Sequence, residues 1–115
     1  MKTLVTIVAF FLATPALAAR VDVLRCGGSD SDGTSTFVTV TKADDGKLSA
    51  LVEFSDSALD RSAQFAFAEV QAVGAGVFWA KDFSLTVDAG IGLRKGTLQL
   101  PAIHVYDQLL SCTAL

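Results

Sequence analysis

Past its first twenty positions the chain alternates apolar and polar residues with a period of two. Leu48, Ala50, Val52 and Phe54 interleave with Lys47, Ser49, Leu51 and Glu53, which predicts a strand with one buried and one mostly wet face. Upstream, Val21-Asp22-Val23-Leu24-Arg25-Cys26 predicts a first strand, and the turn-rich residues 27–33 a loop. Residues 36–41, dense in β-branched side chains, predict a second strand. Asp44-Asp45-Gly46 predicts a tight reversal between it and the third.

Residues 55–61 are polar and read as a loop or a single helical turn. Residues 63–73 carry two opposing signals. Their alanines favour helix, but Phe65 and Phe67 stand two apart and Gly74-Ala75-Gly76 follows at hairpin distance. The reading taken is a strand. Residues 77–87 read as another, with Phe83, Leu85 and Val87 on one face. Asp88-Ala89-Gly90 and Arg94-Lys95-Gly96 are expected turns. Leu98 and Leu100 open the last section, where Pro101 marks an edge or a bulge because it has no N–H for a ladder. Ile103 and Val105 resume the alternation, and residues 109–113 bring Cys112 back beside the first strand. Six or seven short strands without a long helix predict an all-β fold, a small antiparallel β-sandwich or β-barrel.

The first eighteen residues follow a different pattern. Lys2 precedes the uncharged, mostly apolar run Leu4-Val5-Thr6-Ile7-Val8-Ala9-Phe10-Phe11-Leu12-Ala13, then Pro15 and Ala16-Leu17-Ala18. A positive start, a short apolar stretch and small residues at a cleavage point describe a secretory signal peptide, residues 1–18. The run is shorter than the roughly 20 residues needed to cross a bilayer. Cleavage leaves a single domain, residues 19–115, that is periplasmic or secreted and has no stable membrane anchor. That domain has eight Lys and Arg against twelve Asp and Glu, a formal charge of −4. An acidic surface without a basic cluster argues against nucleic-acid binding and favours a cationic partner.

Two cysteines remain, Cys26 and Cys112, near the two ends of the domain. In an exported protein such a pair predicts one disulfide. A redox or metal pair is disfavoured, since the spacing is far from C-x-x-C and His104 is the only histidine. No catalytic set, metal site or cofactor is expected. His104 has Asp107 and Ser111 near it in sequence, but no glycine-flanked nucleophile turn accompanies a serine. Asp30-Ser31-Asp32-Gly33 begins like a calcium loop, yet residues 34–41 contain no acid to complete it. Asp56, Asp60 and Arg61, beside Ser57 and Ser62, form a polar loop of the kind that carries recognition on rigid β scaffolds.

The segment Val77-Phe78-Trp79-Ala80-Lys81-Asp82-Phe83-Ser84-Leu85-Thr86-Val87 resembles a strand of the periplasmic and membrane-bound inhibitors of c-type lysozyme. Cys26, a following hairpin, Ser62-Ala63-Gln64-Phe65, the Trp79 segment and Cys112 also occur in that family's order. Asp82 stands where the family has a glycine after its lysine, and the SGxxY-like loop keeps only its serine here. The resemblance implies a small antiparallel β-barrel that binds a protein partner, a lysozyme, without catalysis. It also implies that Ser62 and Lys81 reach the lysozyme cleft, with Trp79 close by. The other reading of the same chain is a structural or interaction protein of the bacterial envelope or extracellular space.

Overall fold

A computed structural model describes residues 21–30, 33–56 and 61–115; the predicted leader, residues 1–18, lies outside the described residues. Eight strands follow one another: β1 Val21–Ser29, β2 Thr34–Lys42, β3 Leu48–Asp56, β4 Arg61–Ala72, β5 Val77–Ala80, β6 Phe83–Val87, β7 Arg94–Leu100 and β8 Val105–Ala114. Each pairs antiparallel with the next and β1 pairs with β8, so the sheet closes as an up-and-down barrel. Period-two alternation explains why it closes: one face of nearly every strand is apolar and must be taken out of water. Val38, Val40, Val52, Phe83, Leu85, Leu98 and Leu100 fill the interior and are almost wholly inaccessible. Each such side chain contributes about 1.5–3 kcal/mol.

Cys26 and Cys112 lie opposite each other in the β1–β8 pairing and form the predicted disulfide, with an S–S distance of 2.07 Å. That pairing has four register partners, so the bridge sits on one of the barrel's short closures. Of residues 63–73, all but Val73 are strand, inside β4. The ladder with β3 slips by one residue between Leu48 and Ala50, and Glu69 takes a left-handed φ of 56° at this bulge.

Three local expectations are corrected. Residues 77–87 are not one strand: β5 and β6 form a hairpin, with Ala80 opposite Phe83 across the two-residue turn Lys81-Asp82. Asp82 makes the turn at φ 62°, a left-handed position that Asp tolerates better than most residues. This split raises the count to eight strands. Gly27 and Gly28 belong to β1, not to the loop: a side chain at Gly28 would come within 2.8 Å of the Leu109 carbonyl oxygen. Glycine there lets β1 approach β8. Similarly, Arg94-Lys95-Gly96 lies in β7, and the chain reverses before it, where Asp88 N donates to Lys95 O at 2.9 Å. Gly96 is buried, with room for no Cβ beside the Cys112 sulfur.

Candidate functional site

In an up-and-down barrel alternate reversals gather at the same end. The β5–β6 and β7–β8 connections and the start of β4 therefore face the same end of the barrel, where the short β5–β6 hairpin stops well below the start of β4 and beside the 3₁₀ turn Pro101–Ile103. An apolar cleft of about 330 Å³ opens there, lined by Phe65, Phe67, Lys81, Asp82, Leu100, Ala102 and Ile103. Its aromatic wall is fixed from behind. Phe67 packs on Phe83 with ring centres 5.0 Å apart, and Phe65 meets Phe54 edge-on at 5.9 Å.

Lys81 is exposed at the hairpin tip and has no salt bridge among the described residues. Trp79 is about half exposed on the outer surface, opposite Gln71 of β4 and Ser84 of β6. Ser62 is exposed at the start of β4, opposite Ser55. It borders a different, shallower hollow with Phe54, Asp56 and Arg61. Extending the register of Gln71 with Trp79 and Ala72 with Phe78 sets Lys81 beside Glu69. At the usual strand rise this is roughly 23 Å along β4 from Ser62. The two residues share neither a cleft nor a level along the barrel. What Lys81 shares a cleft with is Phe65 and Phe67, which sequence reading placed only as strand residues. Their signal was period-two spacing, which every buried strand also shows.

The residues around His104 are not assembled into a set. His104 caps the 3₁₀ turn at φ 59°, its N–H bonded to Pro101 O at 3.1 Å, and its ring is exposed. Asp107 is engaged twice by Gln99: its carboxylate accepts from Nε2 at 2.6 Å and its N–H donates to Oε1 at 3.0 Å. Ser111 borders a separate hollow with Gly27 and Gly28. Asp30 accepts from Gln108 Nε2 at 2.9 Å, which ties the first reversal to β8. Asp60, with the rest of residues 57–60, lies outside the described residues. Among the described residues no three His, Cys, Asp or Glu side chains gather as a metal-holding group.

Compared with known families, curated proteins and solved structures, the chain matches none.

Proposed function

We propose that the protein is an exported, non-catalytic binding module that inhibits a c-type lysozyme, with Lys81 as the inserted group. The observation that carries this reading is the β5–β6 hairpin tip, where an exposed Lys81 precedes a left-handed Asp82. Glycine is the residue best suited to that backbone position, and glycine is what the resembled inhibitors carry after their lysine. The chemistry is direct. A glycosidase cleft holds a pair of carboxylates, and an ammonium on a rigid two-residue turn can form a charge-assisted hydrogen bond with them. The acidic surface favours approach by a cationic protein. Ser62 belongs to a neighbouring hollow, so the reading rests on Lys81, with Trp79 on the same hairpin.

The test is inhibition of cell-wall lysis by c-type lysozymes, using the disulfide-bonded domain of residues 19–115. Inhibition at submicromolar concentration is expected. Lys81→Ala should weaken it by about 10–100-fold, the equivalent of one hydrogen bond to a charged group, while far-UV circular dichroism stays unchanged. No inhibition across a panel of lysozymes refutes the proposal. A structural or interaction protein of the envelope is the second reading, favoured by the separation of Ser62 from Lys81. On that reading, pull-down from envelope extracts recovers a protein or glycan without lysozyme inhibition.

A further inference from the structure

The barrel closes unevenly. β4 is twelve residues long, yet its pairing with β5 consists of Gln71 with Trp79 and Ala72 with Phe78 alone. β5 ends at Ala80 and the chain turns away through Lys81 and Asp82. From Arg61 to Ala68, β4 pairs with β3 on one side, and no described strand pairs with it on the other. Ser62, Ala63, Gln64, Ala66 and Ala68 are all exposed along this stretch. Its free edge is roughly 26 Å long at the usual strand rise, and it presents alternating N–H donors and C=O acceptors.

Natural sheet edges are normally blunted by charged residues, proline or early termination. Between Arg61 and Glu69 this edge has neither a charge nor a proline. Beside it lies the cleft walled by Phe65, Phe67, Leu100 and Ile103. One added strand would continue the β4–β5 ladder where β5 leaves it. Its backbone would satisfy the edge, and its inward side chains would fill the cleft.

We propose that the open edge of β4 and the adjoining cleft form a β-strand-addition site for an extended peptide with alternating apolar side chains and a cationic N-terminal end. The peptide runs antiparallel to β4, in the direction that β5 already takes. This puts its N-terminus near Asp82 and Glu69, two exposed carboxylates against the one ammonium of Lys81, none of the three in a salt bridge among the described residues. The chain's formal charge of −3 acts in the same sense. A fatty acid would fill the cleft but leave the edge donors and acceptors unpaired. The cleft shares Lys81 with the lysozyme reading, but strand addition to the β4 edge does not require lysozyme inhibition, so either proposal can fail alone.

The test uses the disulfide-bonded domain, isotope-labelled, and nonapeptides Lys-Lys-Thr-Xaa-Thr-Xaa-Thr-Xaa-Thr with Xaa as Leu, Phe or Val. NMR titration should shift resonances of residues 62–69, Lys81 and Ile103, and slow hydrogen exchange at alternate β4 amides. Only one edge of an added strand bonds to β4, so N-methylation has an asymmetric signature. Methylating the amides in one alternating frame should weaken binding by about tenfold or more, and in the other frame by less than about threefold. Equal effects in both frames overturn the proposal, as does no binding of any peptide up to about 1 mM. Decanoate binding the cleft with every peptide failing overturns it in favour of an amphiphile. A dimer in sedimentation, with the same β4 amides protected before peptide is added, overturns it in favour of a second copy.

Discussion

Reducing the Cys26–Cys112 bridge is the most direct perturbation of this barrel. The two sulfurs close a loop with a sequence separation of 86. Loop-closure entropy for that length is worth about 4–5 kcal/mol at 25 °C. A small domain has only about 5–15 kcal/mol in total, so reduction should remove a large share of its stability. The position of the bridge adds to this expectation. It joins β1 and β8, whose pairing has four register partners, while β2–β3 has nine. The assay is urea unfolding followed by far-UV circular dichroism, oxidised and with excess reductant. At about 1–3 kcal/mol per molar for the urea slope, the midpoint should fall by roughly 1.3–5 M. Thermal midpoints should fall by about 20–35 °C. In reduced protein still folded without denaturant, hydrogen exchange should rise first in β1 and β8. A loss below about 1 kcal/mol with an unchanged slope would refute the reasoning, because the unfolded chain would then already hold its ends together.

Two glycines separate backbone strain from crowding. Gly46 and Gly76 both have positive φ, 86° and 79°, but a Cβ at Gly46 meets open space while one at Gly76 would collide with the Val87 carbonyl oxygen. Gly46→Ala should cost about 1–2 kcal/mol and Gly76→Ala at least about 1 kcal/mol more; equal losses by urea unfolding would show that the β4–β5 turn relaxes freely. Gly96 tests the packing around the bridge, since an added methyl would sit 2.5 Å from the Cys112 sulfur. Gly96→Ala should destabilise the oxidised protein by about 1–3 kcal/mol, and a neutral result would mean that β7 moves away from β8 at little cost.

The amino-acid pattern alone determined the all-β class, the apolar face of most strands and the pairing of the two cysteines. These follow from local rules. Leu48, Ala50, Val52 and Phe54 alternate because one side of a strand is buried, and the sequence holds only two cysteines to pair with each other. What several glycines do was decided only in three dimensions. Gly28 and Gly96 read as turn residues, yet both lie within strands, made necessary by the Leu109 carbonyl and the Cys112 sulfur, neighbours that are distant in sequence. The Lys81-Asp82 turn was hidden inside an apolar run because Asp82 can adopt the left-handed backbone without glycine. Tertiary structure also decided the site. Alternation puts Phe65 and Phe67 on the inner face, but only the strand pairing reveals that β5 turns away and leaves them lining an open cleft beside Lys81. Which strand edge lacks a neighbour depends on the register of the whole sheet, and no local stretch of sequence contains that information.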